Sequence, residues 1–166
     1  KNEVLYFFNY NCLSCFILQP YISSWEKNLK KENIRFEKLP VNINSDWEYS
    51  GKLYFLLKIL KFKDFDNYIF DSIHTENKNL LSDQDVVMYI ANEFNINPQA
   101  VILPLHIKRL KYMSNKTKKI KEYLNVDSTP TIIINNNSFR YTIKITEGIK
   151  PISFIVALQQ ILHEKK

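Results

Sequence analysis

Three patterns of apolar residues at the start of the chain predict a strand, a helix and a second strand. Residues 3–9 contain an apolar run that is typical of a buried strand. Residues 13–31 are predicted to be helical, because four apolar residues recur on one face at helical spacing: Leu18, Ile22, Trp25 and Leu29. Residues 34–42 alternate between apolar and polar side chains, which predicts the second strand. The helix between the strands is long enough for a parallel crossover connection.

The middle of the chain, residues 46–124, carries helical periodicity almost throughout. Ser82 to Asp85 resembles a capping box, which marks the start of one of these helices. Asn97 followed by Pro98 is the pattern of an N-cap residue with proline in the first turn. From there the pattern predicts one long helix to about Leu124, bent at Pro104.

The end of the chain returns to strands and closes with a helix. Residues 131–134 are predicted to form a strand, and residues 135–137 a hairpin turn. Residues 138–145 are the predicted partner strand, and Pro151 opens a final amphipathic helix. The whole order is therefore β-α-β, a helical block, and then β-β-α, which indicates an α/β protein.

Composition and charge narrow the class of protein without naming a function. The chain has 166 residues, of which 45% are hydrophobic, enough for a substantial core. Its net charge is +6, but the lysines are spread over helix faces, so we predict a solvated basic surface and no nucleic-acid partner. The sequence contains no apolar run long enough for a transmembrane helix. Its first residues do not form a signal peptide, and we expect that one has been removed.

The strongest chemical motif is Cys12-Leu13-Ser14-Cys15, which contains both cysteines of the chain. It follows the first predicted strand and opens the first predicted helix. A thiolate at a helix N-terminus is stabilised by unpaired backbone N–H groups and by the helix dipole. A second thiol one turn later can attack a mixed disulfide and release its partner. Strand, CxxC and helix together therefore predict a dithiol redox centre.

Other interpretations of these residues stay open at this point. A CxxC pair can be half of a zinc site, but the chain has no second cysteine pair and no closely spaced histidine pair, so we predict no metal. The two cysteines can also be small buried hydrophobic residues without chemistry. Thr129-Pro130 can be an ordinary trans turn. None of the motifs calls for a cofactor.

Three segments resemble DsbA-like thiol:disulfide oxidoreductases of the thioredoxin superfamily. Residues 4–15 are similar to the active-site strand and motif of that family, and residues 39–42 to its next strand. Residues 126–135 resemble the segment that holds its cis-proline. The resemblance implies a thioredoxin fold with an inserted helical domain. The thioredoxin-like domain would be discontinuous, comprising residues 1–45 and 125–166, with the helical domain at 46–124.

The resemblance also assigns roles to individual residues. Cys12 would be the exposed nucleophile and Cys15 the buried resolving thiol, while Leu13 and Ser14 between them would tune the redox chemistry. A cis bond is expected before Pro130, with the backbone of Thr129 pairing to an extended substrate segment.

Certain positions depart from the family pattern. Ser14 stands where family members often have histidine, and neither Tyr6 nor Gln19 is acidic, although some members have acids at these positions. Lys38 does match a basic residue of the same buried region. These departures concern how oxidising the cysteine pair is, not its dithiol chemistry.

The implied function is to introduce or exchange disulfides in folding secreted or periplasmic proteins. The implied partners are cysteine-containing client proteins and a DsbB-like membrane protein that reoxidises the pair. We expect a periplasmic monomer that needs no cofactor. Two alternatives remain: a disulfide reductase or isomerase, and a chaperone without enzymatic activity that binds peptides through the thioredoxin fold.

Overall fold

The structure, a computed structural model, describes residues 2–136, 139–145 and 150–164. Over these residues the chain forms strands and helices in the predicted order. Their bounds are β1 (Glu3–Phe8), α1 (Leu13–Lys31), β2 (Arg35–Pro40), a short 3₁₀ helix (Ser45–Trp47), α2 (Glu48–Ile59), α3 (Asp66–His74), α4 (Asp83–Glu93), α5 (Pro98–Leu105), α6 (Lys108–Tyr123), β3 (Thr131–Asn135), β4 (Arg140–Lys144) and α7 (Pro151–His163).

The strands form one sheet in the order β2-β1-β3-β4. β1 pairs with β3 in antiparallel register, with Val4 opposite Ile134 and Phe7 opposite Thr131. Both central strands are buried over most of their length. Side chains point alternately to the two faces of a strand, so a strand covered on both faces needs apolar residues at successive positions. This explains the continuous apolar runs of the sequence.

The chain divides into two compact units. The first comprises residues 1–8, 12–39 and 128–166, and it contains the sheet with α1 and α7. Its two helices contact each other, and the indole N–H of Trp25 donates a hydrogen bond to Gln159 Oε1 at 2.6 Å. The second comprises residues 9–11 and 40–127. It is built around α2, whose Leu53, Leu56 and Leu57 are buried.

The predicted start signals of two helices are confirmed. Ser82 caps α4, because its hydroxyl accepts a hydrogen bond from the N–H of Asp85 at 3.1 Å. In return, the carboxylate of Asp85 accepts the N–H of Leu81 at 2.9 Å. The Asn97 side chain caps α5 in the same way, with Pro98 in the first turn.

The single long helix predicted after Asn97 is wrong. Two helices, α5 and α6, take its place, and the chain is extended at Ile107 with φ −73° and ψ 147°. The periodicity continued through this point, but Pro104 has no N–H to donate within α5, which weakens the helix near its end. The last residue of the predicted turn, 137, and the first of the predicted partner strand, 138, lie outside the described residues. The observed partner strand, β4, begins at Arg140.

None of the helices formed by the described residues is both long enough and apolar enough to cross a membrane.

Candidate active site

Cys12 and Cys15 form a disulfide at the start of α1, with their Cα atoms 5.2 Å apart. Cys12 is the N-cap residue of the helix: its backbone is extended, and its carbonyl accepts the first helical hydrogen bond from Phe16. Its Sγ also accepts a hydrogen bond from the N–H of Cys15 at 3.1 Å. A sulfur in the N-cap position therefore takes the place that a Ser or Asp oxygen usually occupies, facing the unpaired N–H groups of the first turn.

The expectation that Cys12 is exposed is wrong for this disulfide form. Cys12 is 4% exposed and Cys15 is fully buried, so the two sulfur-bearing residues differ little in accessibility. The N-cap position explains this, since it directs Sγ back over the first turn, toward Cys15. The exposed residues are instead Leu13 and Ser14 between the cysteines, and Ile17 one turn later.

Asn9, three residues before Cys12, is fully buried and uses its whole amide group. Its Nδ2 donates to the carbonyl of Val41 at 3.0 Å and to that of Trp47 at 3.3 Å. Its Oδ1 accepts from the hydroxyl of Ser50 at 2.6 Å and from the N–H of Asn11 at 3.0 Å. A buried amide with all of its partners is costly to disrupt, so this residue holds the backbone that leads to Cys12.

Tyr10 follows Asn9 and is also completely buried. Its hydroxyl donates a hydrogen bond to the carboxylate of Asp66, and its carbonyl lies 2.7 Å from Nε2 of His74. Burial, followed by the negative charge of Asp66 and the hydrogen bond to it, raises the pKa of Tyr10 well above its ordinary value. The phenol is therefore neutral at physiological pH and acts as a donor that fixes the strand exit.

An ion pair joins α1 to β2 next to the aromatic side chains of the sheet, with its lysine largely buried and its glutamate partly exposed. Lys38 Nζ lies 2.7 Å from Glu26 Oε2, and the lysine side chain is only 9% exposed. Tyr6 stacks on Phe36, the neighbour of Lys38 two residues earlier on β2. Glu26 lies seven residues after Gln19, which is two turns along α1. The acid on this helix is therefore a partly exposed one at position 26, whereas the buried position 19 holds a neutral glutamine.

The segment before β3 contains Thr129 and Pro130, joined by a cis peptide bond. Because Thr131 pairs with Phe7, Pro130 lies at the end of the sheet where β1 finishes, and Cys12 follows Phe8 by four residues. Pro130 is buried, and its carbonyl accepts from the N–H of Ile145 at 3.4 Å. The Thr129 hydroxyl is buried and has no hydrogen-bond partner among the described residues.

Sequence reasoning missed the residues that hold the approach to Cys12. Asn9 was read as the end of a strand, and neither Ser50 nor Asp66 carried any motif. The one available signal was a polar residue, Asn9, directly after an apolar run, a pattern that is equally typical of a strand end. Within the described part of the chain, no group of three or more His, Cys, Asp or Glu side chains could hold a metal ion.

Known proteins are similar to this chain in sequence and in structure. No protein-family model matches it. It is 25% identical to the thiol:disulfide interchange protein DsbA of Pseudomonas aeruginosa over an alignment of 149 residues. The alignment covers 89% of this chain and 69% of the relative. The protein of the same name from Azotobacter vinelandii is 25% identical over 136 residues, covering 81% and 63%. The crystal structure of the Pseudomonas aeruginosa DsbA superimposes with a TM-score of 0.85 at 23% identity, covering 98% of this chain and 82% of that one.

The structure places a cysteine pair at the start of the first helix of a thioredoxin fold that carries a helical insertion. The predicted fold class is confirmed by the structural match. The chain is similar in sequence to DsbA thiol:disulfide interchange proteins and shares their fold, which agrees with the resemblance found in the sequence.

Proposed function

We propose that this chain introduces disulfides into folding proteins, with Cys12 as the reacting cysteine and Cys15 as its partner. The observation that carries the proposal is the disulfide at the N-cap of α1, where the helix N-terminus stabilises one sulfur as a leaving thiolate. A good leaving thiolate makes the disulfide easy to transfer, because exchange is faster when the departing thiol is more acidic.

The exchange proceeds in two balanced steps. A client thiolate attacks Sγ of Cys12, which forms a client–Cys12 disulfide and releases Cys15 as a thiolate that takes up a proton. A second client thiolate then attacks the client sulfur of that mixed disulfide and releases Cys12 as a thiolate. Two electrons pass from the client dithiol to the cysteine pair, and the client gains one disulfide.

The assignment of Cys12 as the attacked and attacking residue follows from its place on the helix. Its Sγ already accepts the N–H of Cys15, and as a thiolate it would face the unpaired N–H groups of the first turn. Cys15 lies inside that turn, and its own side chain is fully buried. Cys12 is therefore the more stable thiolate of the two, and Cys15 is the thiol that resolves mixed disulfides.

Client docking is assigned to Thr129 and Pro130. The backbone N–H and C=O groups of Thr129 make no backbone hydrogen bond to any of the described residues. They can therefore pair with an extended client segment. Leu13 and Ile17 offer exposed apolar surface on the first turns of α1, beside the cysteine pair in sequence, which suits the apolar side chains of an unfolded client.

The partners follow from the chemistry and from the relatives. Clients are unfolded or folding proteins that carry pairs of cysteines. The dithiol left after each cycle must return its two electrons to an acceptor, and a membrane protein of the DsbB kind fits that need. Such chemistry belongs in an oxidising compartment, so we assign the chain to the periplasm, where it acts as a monomer.

The direct test is oxidation of a reduced, unfolded client by the disulfide form in the absence of oxygen. We expect one client disulfide per molecule of protein, counted by thiol labelling and mass measurement. The Cys12→Ser/Cys15→Ser variant is the matched control and should transfer none. A client that stays fully reduced in the presence of the wild-type disulfide form would refute the proposal.

The same preparation separates the alternatives. A reductase would hold its pair as a dithiol at equilibrium with glutathione and would cleave client disulfides instead of forming them. A chaperone without redox chemistry would bind an extended peptide with unchanged affinity in the Cys12→Ser/Cys15→Ser variant and would leave the thiol content of the client constant.

A further inference from the structure

The second compact unit, residues 9–11 and 40–127, contains a cleft of about 620 Å³, which is within the size range of small-ligand sites. One wall is α2, a second is α6, and the residues after β2 close one end. The break at Ile107 between α5 and α6, which the sequence did not predict, forms part of the remaining wall. The break between the two helices therefore contributes to the lining of the cleft.

The charges around the cleft favour an anionic occupant. Its lining includes four lysines and two glutamates. Lys52 is already compensated: its Nζ lies 3.1 Å from Glu48 and 2.8 Å from Asp83. Lys121 donates to the carbonyl of Asn42 at 3.0 Å.

The remaining lysines of the lining are Lys111 and Lys118, both exposed and both on α6. Neither makes an ion pair within the part of the chain that the structure describes. The other acid of the lining, Glu122, is exposed near the end of the same helix. Two uncompensated ammonium groups over one concave surface attract carboxylates more strongly than isolated surface lysines do.

The neutral groups of the lining favour a peptide as the occupant. Val41 and Phe55 supply buried apolar surface at the floor. Ser114 and Asn115 lie on α6, and neither side chain has a hydrogen-bond partner among the described residues. A hydroxyl and an amide can both donate and accept, which matches the alternating N–H and C=O groups of an extended backbone.

We propose that this cleft binds an acidic, extended peptide segment in which apolar and carboxylate side chains alternate. In an extended segment successive side chains point to opposite sides, so apolar residues can face the floor while carboxylates reach Lys111 and Lys118 at the rim. The site is separate from the cysteine pair and does not depend on the proposed function. It would give the protein a means of binding acidic segments of a client or partner.

The test measures binding of a fluorescent eight-residue peptide of alternating Leu and Glu, without cysteine, by fluorescence anisotropy at low salt. The same peptide with Lys in place of Glu should not bind. Lys111→Gln/Lys118→Gln should weaken binding of the acidic peptide at least about fivefold, because two charge pairs are lost. Lys108→Gln/Lys119→Gln removes the same charge from α6 outside the cleft lining and should change affinity less than about twofold.

A second variant tests the cavity independently of charge. Ser114→Trp places a bulky side chain in the cleft without changing the net charge, and it should abolish peptide binding while the thermal unfolding temperature shows that the protein is folded. Equal losses in the two lysine pairs, or full affinity in Ser114→Trp, would overturn the proposal. Binding to anionic phospholipid vesicles but not to the acidic peptide would also overturn it, since α6 would then act as a general basic surface. Because binding is measured without disulfide exchange, failure here and failure of the oxidase assay are separate results.

Discussion

The two segments that flank Cys12 differ in burial and in hydrogen bonding. Before it, Asn9 and Tyr10 are buried, and all but one of the hydrogen bonds described above join them to residues 32 to 64 positions away in sequence. After it, Leu13, Ser14 and Ile17 are exposed on the first turns of α1. One side of the cysteine is fixed by buried hydrogen bonds, and the other is open to solvent.

The difference separates two tasks that one short segment must perform. The buried side fixes the backbone of the residues that precede Cys12 in sequence, because displacing a bonded buried amide costs free energy. The open side is accessible to solvent, and in the proposed function it is the part that contacts clients and tunes the thiolate. Substitutions before Cys12 should therefore alter stability, whereas those after it should alter redox equilibrium and client binding.

The largest expected effect is on the cysteines themselves, at the boundary between the two segments. Cys15→Ala should leave Cys12 able to form mixed disulfides that nothing resolves, so covalent client adducts should accumulate on non-reducing gels. Cys12→Ala should form few or none. Adducts that accumulate mainly in Cys12→Ala would reverse the roles of the two residues.

Next in size is loss of the buried amide before Cys12. Asn9→Leu removes all four hydrogen bonds and leaves buried carbonyl and N–H groups without partners, so the free energy of unfolding should fall by about 3 kcal/mol. Urea unfolding measures the change. The matched control is Asn92→Ala at an exposed position of α4, where we expect a change within about 0.5 kcal/mol. Similar values for the two variants would remove the distinction between the flanks.

Tyr10→Phe tests the same buried segment before Cys12 by removing a single oxygen atom. It removes the hydrogen bond to Asp66 and should lower the free energy of unfolding by about 1–2 kcal/mol at neutral pH. Asp66 is only half-buried, so water can hydrate its carboxylate after the substitution. This limits the loss of free energy of unfolding.

This substitution also predicts a pH dependence. Because the pKa of Tyr10 is raised in the folded state, the stabilisation from the neutral phenol is complete below the unfolded pKa of about 10 and is lost as pH rises above it. The wild-type protein should thus lose stability above about pH 10 more steeply than Tyr10→Phe does. Parallel pH profiles of the two proteins would contradict the assignment.

On the open side, Ser14→His should change redox equilibrium and leave stability almost unaltered. An imidazolium can donate a charge-assisted hydrogen bond to the Cys12 thiolate, where a serine hydroxyl offers a neutral one. The glutathione equilibrium should shift toward the dithiol by roughly fivefold, and ultraviolet titration should show a more stable thiolate. Ser24→His, exposed further along α1, is the control. An unchanged equilibrium would mean that the dipeptide does not set the redox properties.

The smallest effect on the folded protein is expected from the exposed apolar pair. Leu13→Ser/Ile17→Ser should change the free energy of unfolding by less than about 0.5 kcal/mol, since both side chains are more than half exposed. The KM for a reduced client should rise a few-fold, while the glutathione equilibrium stays constant. Ile152→Ser/Val156→Ser removes an equally spaced exposed pair from α7 and should leave the KM unchanged. An equal rise in both variants would show that the effect is not specific to the surface beside the cysteines.

The local elements could be predicted because their signals lie within a few residues of each other. Helix α1 has the predicted bounds, since its apolar face and the motif at its start are both written in neighbouring positions. The Ser82 and Asn97 caps were predictable for the same reason: an N-cap side chain bonds to an N–H two or three residues later. The break at Ile107 was not predictable, because apolar periodicity continued across it.

The sequence by itself determined the order of strands and helices, the thioredoxin-like class and the place of the cysteine pair at the start of a helix. Periodicity, capping and the CxxC spacing are local properties of the sequence, so they do not depend on how the strands and helices pack together. Only the tertiary structure decided that Asn9 would bond to Val41 and Ser50, that Tyr10 would face Asp66, and that two helices would leave a basic cleft. Those features depend on which distant residues meet when the apolar faces pack. The residues next to a polar side chain in sequence do not indicate which distant group it will bond to.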